Sequence, residues 1–213
     1  MIRAKICGIN NPAAAVAAAA GGAAYIGLVF YPPSPRCVTA TAAAELASLV
    51  PDRVGRVGLF VDVDDTLLEA MLKQVPLTML QLHGKETPER VQAIKRRFGL
   101  PVMKAVGIGT AQDLDSARAY FDAADWLLFD AKPPKQPGAL PGGNAAPFDW
   151  TVLSGRTWPL PWMLSGGLAV TNVAEAVQLT GASVVDVSSG VEDRYGVKNP
   201  DRIRAFLEKA AAL

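Results

Sequence analysis

Metal-binding side chains are scarce in this chain: one histidine, His83, and two cysteines, Cys7 and Cys37, in 213 residues. A lone histidine without partners at ligand spacing gives no basis for a metal centre. Two cysteines do not make a disulfide framework, and they point to a reducing, cytoplasmic setting. The first residues already read as a strand, not as a charged stretch followed by a secretory apolar core. No apolar run approaches the roughly 18 residues of a membrane span, so none is expected. Charge of one sign never accumulates, and the net charge is +1, which argues against a nucleic-acid or membrane surface. A P-loop, a dinucleotide fingerprint and a Cys/His cluster are all missing, so no cofactor is expected.

What the chain does have is hydrophobic residues, 50% of the total, and a rhythm. A short apolar run, a loop rich in Gly, Pro or Asp, and a helical pattern recur from end to end. Strands are expected at about residues 2–7, 25–30, 56–61, 78–82, 101–106, 126–129, 162–164 and 183–187. Helices are expected to follow them, with Asn10-Asn11-Pro12, Thr39 or Thr41, Asp64-Asp65 and Thr87-Pro88 as start signals. The fifth is expected at about residues 110–121, a short one near 148–153, one from Asn172, and the last at about 201–211. The proline- and glycine-rich stretch 132–147 reads as a mobile loop. Eight strand–helix units in one domain, residues 1–213, indicate a single α/β (β/α)8 barrel (TIM barrel). An open doubly wound sheet is the alternative, but its first turn would carry glycines that Cys7-Gly8-Ile9-Asn10 lacks.

Buried parallel strands should be nearly continuous apolar runs, so polar exceptions are informative. By alternation, Lys5 and Cys7 share one face of their strand, as do Gln81 and His83, Leu128 and Asp130, and Asp186 and Ser188. Lys104 shares a face with Val102 and Val106, and Asp62 ends the third strand. All lie towards the C-terminal strand ends, where barrel active sites form. Strands 1 and 8 are neighbours in a closed barrel, so Lys5 and Asp186 are expected to pair as a structural ion pair.

Two turns follow the last two strands: Ser165-Gly166-Gly167 and Ser188-Ser189-Gly190. Small residues let backbone N–H groups approach an anion, with helix starts behind them. These are the two loops where such barrels bind phosphate, so Gly166, Gly167, Ser188, Ser189 and Gly190 are candidates for a phosphorylated small molecule. Cys7, Asp130 and Arg36 stand at the same mouth. A thiol and a carboxyl on opposite sides suit base and acid roles in isomerising a sugar phosphate. A reactive Cys7 needs its thiolate stabilised, and Gly8 with the start of the first helix is the expected source. Taken alone, Cys7 reads as a core thiol, Asp130 equally as a loop cap, and Arg36 as a solvated loop residue or a carboxylate clamp. His83 reads as lining the pocket or bonding a neighbour, and Cys37 as inert.

At these residues the chain resembles the phosphoribosylanthranilate isomerase family of tryptophan biosynthesis. The matching stretches are Lys5-Ile6-Cys7-Gly8-Ile9, the run from Gly27 to Arg36, Val57 to Asp62, Leu80-Gln81-Leu82-His83-Gly84, Leu128-Phe129-Asp130, Gly142-Gly143, Phe148-Asp149-Trp150, Leu164 to Leu168, Asp186 to Glu192, and Gly196-Val197-Lys198. The resemblance implies an Amadori rearrangement of N-(5-phosphoribosyl)anthranilate. It also implies Asp130 as general acid, Cys7 as general base, Arg36 on the anthranilate carboxylate, and phosphate on loops 7 and 8. It implies no cofactor or metal, and a monomer or homodimer is expected. One stretch departs from the family: Asn144-Ala145-Ala146-Pro147 follows the glycine pair in place of Gly-Thr-Gly-Lys-like residues. A histidine-pathway aminoaldose isomerase would end its first strand in aspartate, where this chain has Cys7. A silent phosphosugar-binding barrel would not need both Cys7 and Asp130.

Overall fold

The computed structural model of the protein describes residues 1–133, 140–143 and 147–213. Eight parallel strands close on themselves: β1 (Arg3–Cys7), β2 (Tyr25–Val29), β3 (Gly55–Phe60), β4 (Met79–Leu82), β5 (Val102–Ile108), β6 (Trp126–Ala131), β7 (Trp162–Leu164) and β8 (Val184–Val187). Each pairs with its sequence neighbour, and β1 pairs with β8 through Lys5 opposite Asp186. The helices are α1 (Pro12–Ala20), α2 (Ala40–Ser48), α3 (Asp65–Gln74), α4 (Pro88–Phe98), α5 (Asp113–Arg118), α6 (Val173–Thr180) and α7 (Pro200–Ala211). A single 3-10 turn, Trp150–Leu153, stands where the helix after β6 would be.

Helix starts obey local chemistry. Asn11, Thr39, Asp64 and Thr87 each accept a hydrogen bond from the amide three residues on, and proline opens α1, α4 and α7. Such caps satisfy backbone donors that a helix cannot pair internally. Helix α5 is shorter than its pattern suggests. The Asp113 carboxylate captures the Gly109 and Thr110 amides at 2.9 and 2.8 Å, which folds residues 110–112 into turns. A second difference is an antiparallel hairpin after β8, β9 (Glu192–Arg194) with β10 (Val197–Lys198), whose strands are too short to show a period. Part of the 132–147 loop, residues 134–139 and 144–146, lies outside the described residues, as does the mobility expected there.

Two apolar layers hold the barrel. Strand residues such as Ile6, Ile26, Leu80 and Val102 pack outwards against the helices, whereas Val57, Met79, Met103, Leu128, Met163 and Val184 fill the interior. Each fully buried side chain of this size contributes about 1.5–3 kcal/mol. This division corrects one expectation. Lys104 lies with Val102 and Val106, on the outer face and away from the mouth. Its ammonium donates to Glu86 at 2.9 Å and to the carbonyls of Gly84 and Leu82. Glu86 in turn accepts from the amides of Asp62 and Gly84. The pair therefore braces the loops after β3 and β4, and Asp62 sits beyond its strand at φ 49°.

Candidate active site

The C-terminal strand ends enclose about 750 Å³ of space open to solvent. Cys7, Arg36, His83, Asp130, Gly166, Gly167, Ser188 and Ser189 all line it, with Val29, Tyr31, Leu59 and Val61 as an apolar wall. Gly190 does not line it. A methyl group there would lie 2.0 Å from the Leu168 carbonyl, so this glycine lets the turns after β7 and β8 pack backbone to backbone. Gly166 and Gly167 take φ of 88° and 66°, a conformation glycine adopts freely. Asn172 fixes the first turn by donating to the Gly167 carbonyl and accepting from the Ala169 amide.

Cys7 ends β1 and is 5% exposed. Beneath it, the fully buried Lys5 donates to Asp186 at 2.8 Å, and Ser165 donates to the other Asp186 oxygen. The expected ion pair is thus present. Burial pushes the Cys7 thiol above its ordinary value, Lys5 pulls it back, Asp186 raises it and Lys198 lowers it, with a net rise. Lys5 is pulled down by burial but lifted further by Asp186 and Cys7. Of the expected source of thiolate stabilisation, the Gly8 amide is not available: the Gly8 and Ile9 amides both donate to the Gly27 carbonyl at 2.9 Å. Lysine ammonium groups take that place. Gly27 has no side chain for a related reason, since a Cβ would sit 2.9 Å from the Cys7 sulfur.

Asp130 lies within β6, opposite Gly107, and is 4% exposed. It accepts from the Ala131 amide at 2.9 Å, and His83 Nε2 is 3.3 Å from its second oxygen. Gln81 Nε2 is 2.9 Å from His83 Nδ1. Among the described residues, the side-chain amide oxygen of Gln81 is buried without a partner. Turning the amide over would offer it to a protonated Nδ1. Gly142 packs against this group, because a Cβ on it would lie 2.6 Å from Asp130 and 2.8 Å from His83.

Arg36 is not a solvated loop residue; it is 3% exposed. Its Nε and Nη2 donate to the two oxygens of Glu192 at 2.7 and 2.9 Å, and Nη2 donates to the Gly143 carbonyl. The Tyr195 ring lies 4.9 Å from the guanidinium carbon. Glu192 and Lys198, within matching stretches, carried no assigned role in the sequence reading. Arg36 and Glu192 lie outside the eight barrel strands, so the strand order that pairs Lys5 with Asp186 does not relate them.

A family model for N-(5'-phosphoribosyl)anthranilate isomerase matches residues 4–209. The chain belongs to this isomerase family. It is 61% identical over 212 residues to the N-(5'-phosphoribosyl)anthranilate isomerase of Rhodospirillum centenum, covering 100% of this chain and 99% of that one. It is 57% identical to that of Paramagnetospirillum magneticum, covering 98% and 97%. Among solved structures, phosphoribosyl anthranilate isomerase from Thermotoga maritima superposes with a TM-score of 0.89 at 35% identity, with both chains fully covered. An isomerase of the family solved with reduced 1-(o-carboxyphenylamino)-1-deoxyribulose 5-phosphate superposes at 0.85 with 34% identity, again with both chains fully covered. The reaction of this phosphoribosylanthranilate isomerase is an Amadori rearrangement of N-(5-phosphoribosyl)anthranilate in tryptophan biosynthesis. Among the described residues no group of His, Cys, Asp and Glu gathers as metal ligands, and no helix is long and apolar enough to cross a membrane.

Proposed function

We propose that this isomerase works by proton transfer from Asp130 and to Cys7 across a substrate held at both ends. The observation that carries the reading is that both groups, Arg36 and the two glycine turns line one cavity. Asp130 protonates the furanose ring oxygen, and the ring opens to a Schiff base. The Cys7 thiolate removes the proton from sugar C2. The enolamine then tautomerises to the ketone, 1-(2-carboxyphenylamino)-1-deoxyribulose 5-phosphate. Cys7 then releases the proton it took to solvent and Asp130, beside His83 at 3.3 Å, takes one back, which resets both groups for the next turnover. Arg36, aligned by Glu192, takes the anthranilate carboxylate against the apolar wall, and Gly166, Gly167, Ser188 and Ser189 take the phosphate. The ligand of the relative solved as a complex carries both of these groups. The reading also has the enzyme in the cytoplasm as a monomer or homodimer, with sedimentation separating the two. The related Thermotoga maritima protein is described as dimeric.

The deciding experiment is a fluorescence assay on phosphoribosylanthranilate made in situ. Cys7→Ala and Asp130→Asn should each lower kcat by about 10²–10⁴-fold, the usual worth of a positioned acid or base. Undiminished turnover in either variant removes that residue from the mechanism. Arg36→Met should act chiefly on KM.

A further inference from the structure

The loop after β8 carries a buried charge cluster that bears on the proton-transfer groups only through the pull of Lys198 on the Cys7 thiol, without a hydrogen bond to it. Glu192 is 5% exposed and its carboxylate accepts four hydrogen bonds. Two come from Arg36, one from Lys198 Nζ at 2.6 Å and one from the Gly196 amide at 3.0 Å. Lys198 spends its other donors on Ser188, at 2.9 Å to the carbonyl and 3.1 Å to the hydroxyl. Glu192 and Lys198 face each other across the β9–β10 hairpin, and Arg202 holds the Glu192 carbonyl from α7 at 2.5 Å.

We propose that Glu192 and Lys198 form a positioning bridge that sets the Arg36 clamp and the Ser188 turn at a fixed separation, so that both anionic ends of the substrate are gripped by one unit. The proposal rests on the reading of Arg36 and the turn after β8 given above. Two features support it. Every donor of Lys198 is spent within the bridge and every oxygen of Glu192 is shared, so neither end can shift without breaking a buried bond. The cluster also holds two cations against one carboxylate. Its surplus positive charge has no protein partner among these contacts and lies between the two places assigned to substrate anions. Burial holds Lys198 down to about 8, with the like charge of Arg36 adding a smaller push against the opposing pull of Glu192. A bridge of this kind makes Glu192 and Lys198 positioning residues that touch no reacting atom.

The test uses the two halves of the substrate, anthranilate and inorganic phosphate, as separate competitive inhibitors of turnover. In Glu192→Gln, which keeps the side chain's shape and one acceptor, inhibition by both should weaken about tenfold, equivalent to about 1.4 kcal/mol of binding. KM should rise by about the same factor while kcat stays within about threefold, because Cys7 and Asp130 lie outside the bridge. In Lys198→Met, phosphate inhibition should weaken about tenfold and anthranilate inhibition should change less than about twofold. Stronger phosphate inhibition in Glu192→Gln, from the unbalanced cations, overturns the bridge, and so does unchanged inhibition by either half. If Glu192→Gln does not melt cooperatively, Lys198→Met carries the test, and unchanged phosphate inhibition there is the overturning result. Arg36→Met is the control. If it leaves anthranilate inhibition intact, the site reading fails and the bridge with it. If it abolishes that inhibition and Glu192→Gln does not weaken it, only the bridge fails.

Discussion

Replacing Lys5 by methionine separates two things that this lysine does. The side chain is fully buried and its charge is met by Asp186 at 2.8 Å. Without it, Asp186 keeps the Ser165 hydroxyl as its one side-chain donor among the described residues. Removing one member of a buried pair costs about 3–5 kcal/mol, which for a chain of this length is roughly 6–20 °C in Tm. The second effect is on Cys7. Burial raises its pKa, and Lys5 is the largest group pulling the other way. Removing Lys5 therefore moves the thiol further up and lowers the thiolate fraction at neutral pH, by about tenfold, or 1.4 kcal/mol, for each pH unit of displacement. The assay is kcat/KM of wild type and variant from about pH 6 up through the range in which the wild-type thiol titrates, below the melting temperature of both, since kcat/KM reports groups of the free enzyme. Taking the ratio cancels ionisations that both proteins share, such as that of Lys198. The ratio should be largest at low pH and close as pH climbs through the thiol's range. A ratio that does not vary with pH refutes the electrostatic role of Lys5, whatever happens to Tm. Replacing Asp186 by leucine in the same protein should recover most of the stability, because an apolar pair can fill the space. It should leave Cys7 above its wild-type position, because the pull of Lys5 outweighs the push of Asp186.

Lys104→Met breaks the other buried pair, behind β5, and should cost about 3–5 kcal/mol in chemical denaturation. Its kinetics at 20 degrees below its melting point, on the order of ordinary assay conditions, should match wild type, since Lys104 faces away from the mouth. A change in kcat there would put Glu86 in contact with the chemistry. Gly142→Ala puts a methyl 2.6 Å from the Asp130 carboxylate and 2.8 Å from His83. It should lower kcat/KM with Tm unchanged, and steady-state kinetics equal to wild type would mean that Gly142 does not stay against the acid.

Much of the site could be read from the chain because it depends on alternation and strand order. Lys5 and Asp186 meet because strands 1 and 8 adjoin in any closed barrel, and Cys7 follows from Lys5 two residues on. Lys104 shows where that logic stops. Alternation groups Val102, Lys104 and Val106, but β5 is apolar on both faces, so parity alone does not say which face turns inwards. Met103 and Ala105 take the interior, and the deciding partner of Lys104, Glu86, comes from a loop with no period. Arg36 was ambiguous for the same reason: its burial is created by Glu192, which arrives from the far end of the chain. The Gly8 and Ile9 amides looked free in sequence because their acceptor, the Gly27 carbonyl, belongs to a neighbouring strand.

The closure of β1 against β8 has a consequence for synthesis. Cys7 leaves the ribosome well before the groups beneath and beside it, Asp186, Ser188, Glu192 and Lys198, which lie at the other end of the barrel's strand order. The Ile2 amide is capped by the Ala210 carbonyl, and α7 buries Ile203, Phe206 and Leu207. A nascent chain therefore holds its thiol in an unfinished barrel until α7 has been made, about 10–40 seconds after Cys7 itself at bacterial elongation rates. A partial product that ends before β8 has neither the lysine–aspartate pair under Cys7 nor the Ser188 turn, so the activity waits for that strand.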